Sequence, residues 1–287
     1  MKTRRIADLE VSAIGLGGMP MSIEGRPDEA RSIATIHAAL DEGVTLFDTA
    51  DAYQLHAGEV GHNESLFAKA IASWGGGDTS NVLVATKGGH LRPGDGSWSV
   101  DGRPAYLKQA VEASLKRLGG DAIGLYQFHR PDPDVPYADS VGAIRDLLEA
   151  GTIRLAGISN ANLEQIRLAQ QILGGRLVSV QNQFSPAFRT SEPELELCDE
   201  LGIAFLPWSP LGGIKSAATL GDRFAPFQQV ADARGVSPQV ICLAWHLAKS
   251  PHVIPIPGAS RPESIRNSVQ AADVTLSAEE LATLDAA

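Results

Sequence analysis

Short apolar runs alternate with longer amphipathic stretches along the whole chain. The runs fall near residues 13–16, 45–47, 82–86, 123–128, 153–158, 177–181, 203–207 and 253–256, each of a length that suits a buried strand. Between them apolar residues recur at helical spacing: Ile33, Ile36 and Leu40; Phe67, Ile71 and Trp74; Leu107, Val111, Leu115 and Leu118; Val141, Ile144 and Leu148. Eight strands alternating with helices predict an α/β chain folded as a (β/α)8 TIM barrel, one domain over residues 1–287, rather than an open doubly wound sheet. The stretch before residue 12 predicts a short N-terminal β-hairpin closing the barrel floor. Residues 212–224 show no clear period and read as a long loop after the seventh strand, of a length often tied to function.

The polar residues that end these runs change the picture most. The run 45–47 ends in Asp48 and is followed by Tyr53; 82–86 ends in Lys87; 123–128 ends in His129. In a parallel β/α barrel the C-terminal strand ends share one face, where catalysis takes place. A phenol titrates near ~10, a nearby ammonium lowers that value, and a carboxylate beside a buried lysine keeps it charged. This predicts Tyr53 as a proton donor to an oxygen, with Lys87 tuning it, Asp48 holding Lys87, and His129 orienting the oxygen. The set contains no activated nucleophile. It suits carbonyl reduction, in which hydride reaches carbon and a proton reaches oxygen.

The hydride requires a cofactor, and later strand ends offer ligands for one. Gly157-Ile158-Ser159-Asn160 and Val180-Gln181-Asn182-Gln183 carry a hydroxyl and amides that suit a carboxamide. Trp208, followed by Ser209-Pro210-Leu211-Gly212-Gly213, offers an indole to stack on a flat ring. Ile256-Pro257-Gly258-Ala259-Ser260-Arg261 leads into a helix whose N-terminus suits phosphate.

These stretches resemble the aldo-keto reductase family across essentially the whole chain. The resemblance is carried in order by Gly15-Leu16-Gly17-Gly18-Met19, Phe47-Asp48-Thr49-Ala50-Asp51-Ala52-Tyr53, Ala85-Thr86-Lys87-Gly88-Gly89, Gln127-Phe128-His129-Arg130-Pro131-Asp132, Gly157-Ile158-Ser159-Asn160, Trp208-Ser209-Pro210-Leu211 and Ile256-Pro257-Gly258-Ala259-Ser260. Within the family the chain looks most similar to bacterial reductases that include pyridoxal reductases, through Phe205-Leu206-Pro207-Trp208-Ser209-Pro210-Leu211-Gly212-Gly213. The resemblance implies a catalytic tetrad of Asp48, Tyr53, Lys87 and His129. It implies NADP(H), held by Gly18, Met19, Asp48, Ser159, Asn160, Gln181, Trp208, Ser209, Pro210, Leu211, Gly213, Ile256, Pro257, Gly258, Ser260, Arg261, Ser264 and Asn267. The substrate pocket then falls on Met19, Tyr53 and His129, joined by Trp98, whose place in the Gly-rich loop Gly94-Asp95-Gly96-Ser97-Trp98 after the third strand suits either lining the pocket or simple packing.

The chain departs from the family where many NADP(H)-using members clamp the 2′-phosphate. Gly258 stands in place of a basic residue, Ser264 in place of an arginine, and Asn267-Ser268 in place of Glu-Asn. Arg261 and Arg266 are the candidate substitutes, each with a bidentate fork, and NAD(H) stays open. The alternative to an enzyme is a dinucleotide-binding sensor or regulatory barrel, similar to potassium-channel β-subunits; the intact tetrad favours the reductase.

Composition narrows the partners. With 34 acidic against 24 basic residues the net charge is −10, which argues against nucleic acid and leaves a small-molecule carbonyl as the expected partner. Only Cys198 and Cys242 are present, expected as reduced core thiols. No h-region follows Met1-Lys2-Thr3-Arg4-Arg5 and no apolar run reaches membrane-spanning length, so a cytoplasmic protein is expected. Gly15, Gly17 and Gly18 do not match a G-x-G-x-x-G fingerprint and read as a tight turn beside substrate or cofactor. His56, Glu59, His62 and Glu64 lack a familiar metal spacing and read as a solvated loop, so no metal is expected.

Overall fold

A computed structural model describes residues 1–287. In chain order the strands are β1 (Thr3–Ile6), β2 (Leu9–Ser12), β3 (Leu16–Gly17), β4 (Leu46–Asp48), β5 (Leu83–Gly88), β6 (His90–Leu91), β7 (Ser99–Val100), β8 (Ile123–Phe128), β9 (Ile153–Ser159), β10 (Leu177–Gln181) and β11 (Ala204–Phe205). The helices are α1 (Glu29–Asp41), α2 (His62–Ser73), α3 (Pro104–Leu118), α4 (Tyr137–Glu149), α5 (Leu163–Ile172), α6 (Glu192–Leu201), α7 (Leu220–Arg223), α8 (Ala225–Arg234), α9 (Pro238–Lys249), α10 (Pro262–Val269) and α11 (Ala278–Asp285).

The expected parallel barrel forms. Seven strands pair in the order β11-β10-β9-β8-β5-β4-β3. The eighth apolar run lies between the two edges, but it joins them through isolated bridges instead of a ladder. Phe205 N donates to His252 O and Ile254 N to Phe205 O, both at 2.9 Å, while Gly15 N donates to Pro255 O at 2.9 Å and Gly17 N to Pro257 O at 3.0 Å. Pro255 and Pro257 have no N–H to give back, so this segment accepts from β3's side without completing a regular strand. The first run is likewise paired as a strand only at Leu16 and Gly17.

The hairpin β1–β2 forms as expected, in antiparallel register Thr3↔Ser12 to Ile6↔Leu9. Its inward residues Ile6 and Val11 belong to one buried cluster with Leu46, Leu83, Leu125, Leu206 and Ile254, so the hairpin plugs the barrel floor. Residues 212–224 are more ordered than their pattern suggests, since they contain a 3₁₀ turn at Ala217–Thr219 and the short helix α7. Elements this short have too few turns to display a period.

Strand alternation divides the two faces. Phe47 points outward and meets Phe67 of α2 edge to face, with ring centroids 5.7 Å apart. Leu46, Leu83, Ala85 and Leu125 point inward to the apolar layer. Two residues beyond them along their strands stand Asp48, Lys87 and Gln127, so period-2 geometry stacks a polar layer on the apolar one at the C-terminal ends. The helical stripes pack outside as expected: Leu107, Val111, Val141 and Ile144 are all fully buried.

Candidate active site

Main-chain bonds beyond the strand ends fix the loops that carry the site. Thr49 N donates to Ala85 O, Asp51 N to Lys87 O, His129 N to Gly88 O, and Asn160 N to Gln181 O, at 2.8–3.1 Å. Asp48, Tyr53, Lys87 and His129 are thereby brought together, each no more than 7% exposed. The Lys87 ammonium uses all three donors: Asp48 Oδ1 at 2.6 Å, Thr49 O at 2.8 Å and the Tyr53 hydroxyl at 3.2 Å. The other carboxylate oxygen of Asp48 accepts from Gln181 Nε2 at 2.8 Å and Gln127 Nε2 at 3.4 Å. Gln127 was not singled out as a site residue in the sequence, although its position two before His129 puts it on the inner face.

Burial acts on every ionisable group here. For Lys87 burial opposes the charge, but Asp48 and the phenol outweigh it and hold the pKa above its ordinary value. The Tyr53 phenol is pushed up by burial, against the opposing pull of Lys87. Lys87 lowers the phenol as the sequence suggested, but the net shift is upward, because desolvation of a phenolate in so enclosed a position is the larger effect. Tyr53 is therefore protonated at neutral pH. Burial, reinforced by Lys87, His90 and Arg130, pushes His129 well below the usual imidazole range, so its ring is neutral. Its Nδ1 is buried without a protein partner.

A cavity of about 810 Å³ opens over these residues. Tyr53, His129, Met19 and Trp98, the candidate pocket residues, are all among those that line it. Trp98 is held there by His90, whose ring stacks on it with centroids 4.5 Å apart and meets His129 edge-on at 4.8 Å. Arg92 covers Trp98 at 4.6 Å and pairs with Glu24. His90 and the Arg92–Glu24 pair had no signal in the sequence, because partners 68 residues apart meet only through the fold.

The same cavity is also lined by Gly17, Ser159, Asn160, Gln181, Trp208, Ser209, Pro210, Leu211, Gly213, Ile256, Pro257 and Gly258. Ser159 Oγ donates to Gln181 O at 2.7 Å, Asn160 Nδ2 donates to His129 O at 3.0 Å, and Trp208 Nε1 donates to Asn160 Oδ1 at 3.2 Å. The proposed carboxamide ligands thus brace one another and the histidine. Asn160 and Ser209 hold positive φ of 56° and 50°, and such strained positions cluster where backbone is shaped for a ligand. Gly213 has φ of 97° with only Ser209 Oγ, at 4.0 Å, near the place of a Cβ, so its backbone faces open space. Gly18 does not line this cavity; its O accepts from Asn63 Nδ2 at 2.9 Å, and a Cβ there would strike Asn63 and Phe67.

The candidate phosphate ligands sit apart from the cavity. Arg261 is exposed at the N-cap position of α10, one residue before the helical turn in which the sequence placed it, and its Nε donates to Ser264 Oγ at 3.0 Å. Arg31 reaches the same corner from α1 through Ser260 O at 3.0 Å, a residue the sequence gave no reason to choose. Arg266 lies 3.7 Å from Glu42 and Asn267 bonds Ser237 Oγ, the N-cap of α9, at 2.8 Å.

The residues considered for a metal have other tasks. Glu59 pairs with Arg26, Glu64 with Arg117 at 2.6 Å, and His62 Nδ1 lies 2.8 Å from Ser22 Oγ. No three His, Cys, Asp or Glu side chains are grouped to hold an ion. Cys198 and Cys242 are buried and free, and no helix is long and apolar enough to cross a membrane.

Known proteins decide the class. The aldo/keto reductase family model matches residues 13–287. The chain belongs to the aldo/keto reductase family. A Schizosaccharomyces pombe protein named as an uncharacterized oxidoreductase is 36% identical over 289 residues, covering 99% of this chain and 89% of that one. The glycerol dehydrogenase of Gluconobacter oxydans superposes with a TM-score of 0.83 at 27% identity, over 99% of this chain and 94% of that one. An aldo/keto reductase from Klebsiella pneumoniae in complex with NADP and acetate gives a TM-score of 0.82 at 27% identity, over the same shares. This aldo/keto reductase is accordingly an oxidoreductase with the (β/α)8 barrel of its relatives.

Proposed function

We propose that this chain reduces aldehydes or ketones to alcohols with NADPH, using Tyr53 as the proton donor. The observation that carries the reading is the buried Lys87 ammonium, bonded at once to Asp48 and to the Tyr53 hydroxyl beneath an 810 Å³ cavity. The phenol is kept protonated by burial and so has a proton to give. As that proton leaves, the ammonium 3.2 Å away stabilises the phenolate that forms, and the lysine stays charged because Asp48 holds it. The neutral imidazole of His129 orients the substrate oxygen without adding a second cation beside Lys87.

The cavity also fits a nicotinamide dinucleotide by its donor set. Ser159, Asn160 and Gln181 offer hydroxyl and amide groups, Trp208 offers an indole face, and the open backbone at Gly213 leaves room for a close approach. When bound there, NADPH supplies the hydride. The Klebsiella relative binds NADP, which supports the same cofactor here, and Arg261 with Arg31 is the proposed seat of the 2′-phosphate. NADPH oxidation followed at 340 nm with a panel of aldehydes and ketones tests the function. Carbonyl-dependent oxidation is the expected result. Tight NADPH binding with no turnover of any carbonyl would point instead to a sensor barrel.

A further inference from the structure

We propose that the substrate of this reductase carries an anionic group, a carboxylate or a phosphate, in addition to its carbonyl, and that Arg130 is the residue that receives it. The inference rests on the reductase reading of the site and adds the chemical class of what it reduces.

The argument is one of charge matching. The ionic side chains in and directly beneath the cavity are Asp48 and Lys87, Glu24 and Arg92, and Arg130. The first four pair off as two salt bridges. Arg130 is half-buried and makes neither an ion pair nor a hydrogen bond through its side chain, and its Nε is buried without a partner. The nearest acid in sequence, Asp132, is committed elsewhere: Oδ2 accepts from Gly102 N at 2.7 Å and Oδ1 from Asp134 N at 2.9 Å. The two imidazoles of the pocket add no positive charge, since burial holds His90 at about 4 and His129 lower than its usual range. One uncompensated guanidinium thus faces the cavity of a chain whose net charge is −10. A half-buried arginine with free donors is costly without a counter-charge, and its planar fork matches carboxylate and phosphate oxygens. Arg130 also follows His129 directly in the chain, and its charge is felt by the His129 and His90 rings. Arg130 lines the same cavity as Tyr53 and His129, so an anion seated on it holds the rest of its molecule in the cavity over the tetrad.

The test uses matched benzaldehydes: 4-carboxybenzaldehyde, its neutral isostere 4-formylbenzamide, and 4-formylphenyl phosphate. The kcat/KM ratio of each anion to the amide is measured for wild type, Arg130→Met and Arg130→Lys. Wild type is expected to prefer an anion, the methionine variant to lose roughly tenfold or more of that preference, and the lysine variant to keep part of it. Which of the two anions shows the larger loss assigns carboxylate or phosphate. A parallel calorimetric titration of benzoate and benzamide reads the seat without turnover. If no benzaldehyde is reduced yet benzoate binding still depends on Arg130, the anion seat stands and the reductase reading falls. If the amide is reduced but neither the kcat/KM ratios nor benzoate binding changes in Arg130→Met, the anion seat is overturned.

Discussion

Replacing Lys87 with methionine removes the one cation that the inner polar layer is built around. Its three bonds go to Asp48, Thr49 O and Tyr53, and burial leaves these groups little water to replace it, since Asp48 is 3% exposed, Tyr53 7% and Thr49 fully buried. Asp48 would keep only Gln181 and a longer bond from Gln127. Leaving one partner of a buried pair uncompensated costs about 3–5 kcal/mol. For a chain of this size that loss corresponds to a melting temperature lower by on the order of 10 °C. Asp48→Asn strands the ammonium in the same way. In the double variant neither charge is left alone, so the two losses should combine to less than their sum, by about 2 kcal/mol or more. Urea melts of wild type, both single variants and the double variant measure this. Additive losses would refute the claim that the pair is one electrostatic unit.

Two further expectations concern pH and the cofactor. His129 is held neutral in the folded chain, while in the unfolded chain it protonates below about 6.5. The folded state then binds fewer protons, so its contribution to stability is complete above that pH and is lost as the pH falls below it. Melts from pH 7.5 to 5 should show the decline, with a shallower slope in His129→Gln; equal slopes would contradict the assignment. For turnover, a neutral His129 predicts no steep loss of activity as pH rises from 6 to 8. Arg261→Ala should weaken NADPH binding by about 1.5–3 kcal/mol and leave NADH little changed, read by quenching of tryptophan fluorescence, with Arg31→Ala behaving the same way. Equal losses for both cofactors would show that neither arginine reads the 2′-phosphate.

The gathering of Asp48, Tyr53, Lys87 and His129 was legible in the sequence because strand periodicity and barrel topology together dictate it. Asp48, Lys87 and His129 end apolar runs, and any parallel barrel gathers such ends on one face. The features that escaped depend on contacts between distant segments or on backbone detail. The eighth run looks as apolar as the others, but its alternating prolines reduce it to bridges. The helix α7 is too short to show a period. The direction of the Tyr53 shift depends on how deeply the phenol is enclosed, which no pairwise reading of Tyr53 and Lys87 can supply. Arg130 was visible as part of Gln127-Phe128-His129-Arg130, yet its significance lies in having no counter-charge, a property of the folded cavity alone.

Tyr53→Phe tests the central claim most directly. The substitution removes one hydroxyl, the proton to be donated, and leaves the ring with its edge-on contact to His129, whose centroid is 5.8 Å away. NADPH affinity measured by fluorescence quenching should hold near its wild-type value. On a carbonyl that the wild type reduces, kcat should fall roughly 10²-fold or more. A folded Tyr53→Phe variant that binds NADPH and still turns over at a near-normal rate would contradict the account.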